Sequence, residues 1–211
     1  MTIDEAVAAL SELTSGGTYT KNQFFGPEQW VQNFLAGDDA FKMKSHQVAW
    51  TLVHEGTPDL RRTGLEFWGA VSPPDGVSDA LAELYLAEQP PDPNLRDSVG
   101  LYTGHRFSDD VGRRLAARFA ADPDGERDIA GNAVRYDAHG AAWDALIRLV
   151  LKTDDARGLY RLFDAAYQAD RIDDFFDAIK GKPPAVRYEL AASMPLRLRA
   201  RYCQITGTTF P

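Results

Sequence analysis

Apolar residues in this chain recur at helical spacing from end to end, and they alternate as in a strand for no more than a few positions. Ile3, Val7, Leu10 and Leu13 make the first stripe, behind a capping box formed by Thr2 and Glu5. Gly16-Gly17 is expected to end that helix, and residues 15–26 to form a loop pinned by Tyr19, Phe24 and Phe25. Gly26-Pro27 opens a short helix carrying Trp30, Val31, Phe34 and Leu35, with Gly37 as its stop. Asp38 or Asp39 caps a longer one that gathers Phe41, Ser45, Val48, Ala49, Leu52 and Val53 on one side and ends at Gly56. Further starts are predicted near Thr57, Asp75, Asp92, Ser108, Asp122, Gly140, Asp154, Asp170 and Pro183, 13 to 18 residues apart. Links this short force successive helices to lie side by side and antiparallel. The pattern predicts an all-α chain of about ten to twelve helices.

One phrase occurs twice. Thr57-Pro58-Asp59-Leu60-Arg61-Arg62-Thr63-Gly64-Leu65-Glu66-Phe67-Trp68-Gly69 returns 35 positions on as Asp92-Pro93-Asn94-Leu95-Arg96-Asp97-Ser98-Val99-Gly100-Leu101-Tyr102-Thr103-Gly104. Cap, proline, leucine, arginine, small hydroxyl, aromatic and glycine stay in register. A fainter third copy, Arg127-Asp128-Ile129-Ala130-Gly131, echoes Arg96 to Gly100 and also comes after an Asp-Pro pair, Asp122-Pro123. Pro58, Pro93 and Pro123 are expected at first-turn positions, where the missing N–H costs nothing. Self-similarity at such a period marks stacked helical repeats, because a helix pair with one apolar face cannot bury it alone. Leu60, Thr63, Gly64, Phe67 and Val71 define the expected buried seam, and Leu95, Ser98, Val99 and Tyr102 repeat it.

These residues resemble the HEAT-repeat family of helical solenoids. Asp92-Pro93-Asn94-Leu95-Arg96 with Ser98 is the nearest match, and Thr57-Pro58-Asp59-Leu60-Arg61 with Gly64 is next. The resemblance implies an α-solenoid of antiparallel helix pairs with a concave face lined by the second helices. It implies one domain over 1–211, with a capping segment at 1–37, repeats over 38–180 and a C-terminal cap at 181–211. The outer positions of those second helices, Arg62, Glu66, Asp97, Leu101, His105, Asp128, Asn132 and Arg135, become candidates for binding another protein.

Composition adds charge to this picture. Residues 1–179 carry 17 basic and 30 acidic side chains, whereas residues 180–211 carry six basic and one acidic. An acidic body repels phosphate backbones and attracts basic partners. Asp170, Asp173, Asp174 and Asp177 fall on one helical face and form a second candidate docking surface for such a partner. The pairs Asp38-Asp39, Asp109-Asp110 and Asp154-Asp155 are explained by helix starts.

Residues with catalytic or metal-binding character are sparse. His54-Glu55 begins like a zinc-protease motif, but Thr57 and Pro58 stand where the second ligand belongs, and His46, His54, His105 and His139 are never three or four apart. Cys203 is alone and is expected to be a buried structural thiol; no metal and no cofactor are expected. The single cysteine, the acidic N-terminus and the lack of a long apolar run lead to a cytoplasmic, membrane-free expectation. Trp30, Trp50, Trp68 and Trp143 are expected in the core. The resulting reading is a non-catalytic protein-binding module, an acidic inhibitor of the immunity-protein kind that sequesters a basic partner. The alternative is a HEAT-like DNA glycosylase, which needs a basic groove that the outer positions do not provide.

Overall fold

The chain opens as its first residues dictate. The Thr2 hydroxyl accepts from the Glu5 N–H at 3.3 Å while the Thr2 N–H donates to the Glu5 carboxylate at 2.7 Å, closing the capping box of α1 (Ile3–Leu13). In the computed structural model, residues 1–15, 28–71, 73–88, 92–101 and 107–209 are described. The expected stops and loop residues Gly16, Gly17, Tyr19, Phe24, Phe25, Gly26 and Pro27, and Tyr102, Thr103 and Gly104 of the second phrase, lie outside them.

The described residues form thirteen α-helices and one short 3-10 helix, with no strand. That is one α-helix more than the upper expectation, because a stretch read as a single C-terminal cap divides at Pro195 into two helices. The helices gather into two compact units, Met1–Tyr102 and Thr103–Pro211.

Unit 1 holds α1, α2 (Glu28–Ala36), α3 (Asp39–Glu55), α4 (Pro58–Ala70), α5 (Val77–Ala87) and α6 (Pro93–Leu101). Helix α1 packs on α2 and α3, α2 on α3 and α4, α4 on α3 and α6, and α5 on α6. Asp38 caps α3 through the Phe41 N–H at 2.9 Å, and Gly56 ends it as expected. On α1 the buried residues are Ala6, Ala9 and Leu13, while Val7 is exposed. Of the expected stripe Ile3, Val7, Leu10 and Leu13, Leu13 is buried and Ile3 and Leu10 are half-buried, while Ala6 and Ala9 take the inward place expected of Val7.

The first copy of the phrase places Gly64, where the second has Val99, at a close approach. A Cβ on Gly64 would stand 2.9 Å from both the Ala49 carbonyl oxygen and Val53 Cγ2 of α3. Phe67, one turn later, is fully buried and stacks on Trp30 with ring centroids 3.9 Å apart and 12° between planes. Such stacking is worth about 0.5–1.5 kcal/mol beyond the area it buries. In the second copy Leu95, Ser98 and Val99 are buried likewise.

The arginine of the phrase has a separate task. Arg61 Nε donates to the Val53 carbonyl at 2.9 Å, and its Nη1 reaches Glu88 at 2.8 Å and Asp92 at 3.1 Å. Asp92 opens the second copy and accepts from the Asn94 N–H at 2.8 Å, capping α6. One guanidinium thus ties the end of α3, the residue after α5 and the start of α6.

Unit 2 holds α7 (Asp109–Ala121), the 3-10 helix Arg127–Ile129, α8 (Ala130–Tyr136), α9 (Ala141–Lys152), α10 (Ala156–Gln168), α11 (Ile172–Ala178), α12 (Pro184–Ser193) and α13 (Leu196–Thr206). Helix α7 packs on α8 and α9, α8 on α9 and α10, α9 on α10 and α11, α10 on α11 and α12, and α13 on α11 and α12. Phe163 of α10 stacks on Phe176 of α11, which meets Tyr202 of α13 edge-on at 5.1 Å. A Cβ on Gly112 would fall 2.3 Å from the Tyr136 ring, the closest such approach between α7 and α8.

One predicted helix start is corrected here and another is sharpened. Asp122 ends α7 instead of opening a helix, and its carboxylate accepts from the Gly125 N–H at 3.0 Å. Asp122-Pro123-Asp124-Gly125 carries the residues of a tight turn, so the helix of the third copy begins later, at Arg127. Asp170 ends α10: its φ is +56°, its N–H donates to the Tyr167 carbonyl, and the Arg171 N–H donates back to Ala166. That is the left-handed helix stop usually given to glycine, with aspartate in its place. Cys203 is half-buried rather than buried.

Two substitutions test this packing. Gly64→Leu should lower stability by about 1–3 kcal/mol through overpacking against α3, and an unchanged thermal midpoint would remove α4 from this placement. Arg61→Met should lower the midpoint clearly more than Arg62→Met, whose ion pairs are solvent-exposed and worth about 0–1 kcal/mol. Equal effects of the two substitutions in thermal denaturation would show that the Arg61 tie carries no weight.

Candidate protein-docking surface

Helix α4 turns Gly64, Leu65, Phe67 and Trp68 inward, which leaves Arg62 and Glu66 on its solvent face. Arg62 lies 3.5 Å from Asp59 and 3.9 Å from Glu66, so the three form an exposed charged row. Asp97 is exposed on α6, the helix packed on α4. The side chain of Leu101, and His105 altogether, lie outside the described residues.

The remaining candidates belong to unit 2. Asp128 is exposed in the 3-10 helix and Arg135 is half-buried on α8. Asn132 is fully buried and is withdrawn from the docking surface, because the seven-residue α8 buries Ala130, Asn132, Ala133 and Val134 together.

The aspartate row is occupied from within the chain. Asp170 closes α10, Asp173 bonds Arg201, Asp174 lies 2.6 Å from Arg171, and Asp177 lies 2.5 Å from Lys180. Arg171 also donates to the Ala138 carbonyl at 2.7 Å and lies 4.2 Å over the Trp143 ring. The basic C-terminal segment is absorbed similarly: Arg187 binds the Lys182 and Thr206 carbonyls, and Arg199 those of Ala192 and Met194. These charges close the end of unit 2 on itself.

A different surface emerges on α3. Ser45, Val48, Ala49 and Leu52 face inward, and the opposite face presents Met43, Gln47, Trp50 and His54 at i, i+4, i+7 and i+11. Met43 is 71% exposed and Trp50 38%, against 0–5% for Trp30, Trp68 and Trp143, so the core expectation fails for Trp50 alone among the four. The stripe was legible in the sequence: Trp50 stands about 140° around the helix from Ser45 and so opposite the core residues.

Trp50 is held rather than loose. Its ring stacks on His54 at 4.0 Å, and its edge meets Trp68 with centroids 6.2 Å apart. Behind it, Trp68 Nε1 donates to His46 Nδ1 at 3.3 Å, so His46 Nδ1 carries a lone pair. Phe34 meets the same imidazole edge-on at 5.1 Å. Burial pushes the His46 pKa below its ordinary value. A rigid indole backed by an ordered shell is the kind of group that anchors a protein interface.

Among the described residues no three His, Cys, Asp or Glu side chains are grouped as metal ligands, and no helix is long and apolar enough to cross a membrane. Searches against protein-family models, curated proteins and solved structures each found no match to this chain.

The His46 pair sets a pH dependence. The folded state favours neutral imidazole, so this contribution is full above the unfolded value of about 6.5 and is lost as pH falls through the lowered folded one. Glu126 of unit 2 acts in the opposite sense. Burial, then Asp128, pushes its carboxyl up to about 6 although Arg118 donates to it at 2.8 Å, so its contribution fades as pH rises from about 4.5. Comparison of wild type with His46→Gln isolates the first effect. The wild type should lose more thermal stability between neutral and mildly acidic pH, and parallel curves would remove His46 as the cause.

Proposed function

We propose that this chain is a HEAT-like helical-repeat protein that binds a basic protein partner through unit 1 and performs no chemistry on it. Two features support the repeat reading. Each helix packs chiefly on neighbours one and two places along the chain, as stacked antiparallel pairs do. The arginine of one copy of the phrase also bonds the first residue of the next.

The observation that carries the binding reading is the coincidence of charge and anchor in unit 1. Residues 1–102 contain six basic and fifteen acidic side chains, and residues 103–211 seventeen and sixteen. The net acidity of the whole chain therefore resides in the unit that exposes Met43 and Trp50. Asp39 stands exposed at the start of the same α3 face, and Asp59 and Glu66 are exposed on the neighbouring α4. An exposed aromatic anchor in a unit of net negative charge fits a partner with an apolar pocket set in basic surface. Steering by the acidic field raises the association rate, which suits a stoichiometric inhibitor of a basic protein, the immunity-protein kind included. The same field repels phosphate, which disfavours the glycosylase alternative.

Affinity capture from the native lysate with wild type and with Trp50→Ala tests this reading. The retained partner should have net positive charge, bind one-to-one, elute with salt and bind Trp50→Ala about tenfold more weakly or worse. An acidic partner, or equal affinity for the two proteins, would overturn it.

A further inference from the structure

Unit 2 carries a second surface with the reverse chemistry. Helix α10 buries Leu159, Leu162, Phe163, Ala165 and Ala166, and its opposite face presents Arg157, Tyr160, Arg161, Asp164 and Tyr167. Core packing does not require tyrosine at these outward positions, yet Tyr160 is 38% and Tyr167 43% exposed. Tyr188 is exposed on α12, which packs on α10.

The tyrosines are ordered by their surroundings. Both rings lean on Phe163, at centroid distances of 5.8 and 6.4 Å, and Phe163 is itself stacked on Phe176 in the core. The Tyr167 hydroxyl accepts from Arg197 at 3.1 Å. The arginines differ from most others in the unit. Arg118, Arg171 and Arg201 have carboxylate partners and Arg187 and Arg199 bond carbonyls, whereas Arg157 and Arg161 are exposed and engage no partner among the described residues; Arg113 and Arg148 are likewise exposed and without a partner there, but their helices carry no exposed tyrosine beside them. Asp164, between them and Tyr167, accepts from Gln168 at 3.2 Å.

We propose that this face of α10 binds a carboxylate-rich segment of a partner protein. Two guanidiniums one turn apart supply forks for carboxylates. The two tyrosines supply rigid apolar area with hydroxyls at the rim, at little entropic cost because their rings are already held. A nucleic-acid strand fits less well. Unit 2 is nearly neutral, and Asp154, Asp155 and Asp164 interrupt the positive field that a phosphate backbone needs. This surface is independent of the α3 stripe, and together they describe an adaptor whose two units take partners of opposite charge.

The test is fluorescence anisotropy on the full chain, with labelled polyglutamate as the acidic probe and labelled oligothymidylate as the nucleic-acid probe. Arg157→Glu with Arg161→Glu should weaken polyglutamate binding about tenfold or more. The matched pair Arg113→Glu with Arg148→Glu makes the same charge change on exposed positions of α7 and α9 and should leave binding within about twofold. Tyr160→Ala should weaken binding without altering its salt dependence, and Trp50→Ala should have no effect. Circular dichroism should report unchanged helix content in each variant, since all these side chains lie at the surface. No polyglutamate binding, an equal loss in the α7 and α9 variant, or tighter binding of oligothymidylate would each overturn the proposal.

Discussion

Close approach between short helices is the constraint on which the rest of this structure depends. All the described α-helices except α3 run from seven to thirteen residues, lengths at which an isolated helix is marginal in water. Their stability must come from neighbours, and neighbours can come near only where side chains are small. Gly64 lets α4 settle on the backbone of α3, and Gly112 admits the ring of Tyr136 between α7 and α8. Large aromatics then fill the space beside these points, Phe67 against Trp30 in unit 1 and Phe163 against Phe176 in unit 2. The Arg61 tie depends on this geometry, because its three partners lie at or just beyond the ends of three different helices.

Much of this was legible in the chain because caps and stops are local. Thr2 with Glu5, Asp38 with Phe41, and Asp155 with Gly158 each bond within three residues, and sequence reasoning needs no fold to see them. The failures fall where a local signal has two readings. Asp-Pro opens a helix at Asp92-Pro93, but at Asp122-Pro123 the adjoining Asp124-Gly125 makes it a turn. A helix start is read near Asp170, and α11 does begin at Ile172, yet Asp170 itself, with its left-handed backbone, closes α10. Which side of a helix faces inward was less legible still: on α1, alanine rather than valine meets the neighbours, a choice set by helix spacing and not by hydrophobicity.

The candidate site was harder to read than the fold, for a related reason. Charge runs attract attention in a sequence, but a run records nothing about partners brought in from elsewhere in the chain. Asp173 looked available for an external ligand and instead bonds Arg201, 28 positions along the chain. The same holds for Lys182, whose ammonium binds Asp154 and the Leu151 carbonyl. Folding has consumed these charges, and a partner would have to displace an internal contact to use them.

Groups left unconsumed are therefore more informative than groups that are abundant. The outer part of the Trp50 indole is left uncovered by the fold although contacts with His54 and Trp68 hold the ring. Two arginines without partners among the described residues, beside two exposed tyrosines on α10, stand uncovered likewise. Both features leave aromatic surface uncovered, and in both the rings are held by neighbouring aromatics, which is what association rewards. Their opposite electrostatic settings decide the direction of selectivity. The acidic field of unit 1 attracts basic surface to Trp50, while Arg157 and Arg161 attract acidic surface locally in a unit of almost no net charge. Salt should accordingly weaken the first association through the long-range field, and the second through a few short-range contacts that ions screen less.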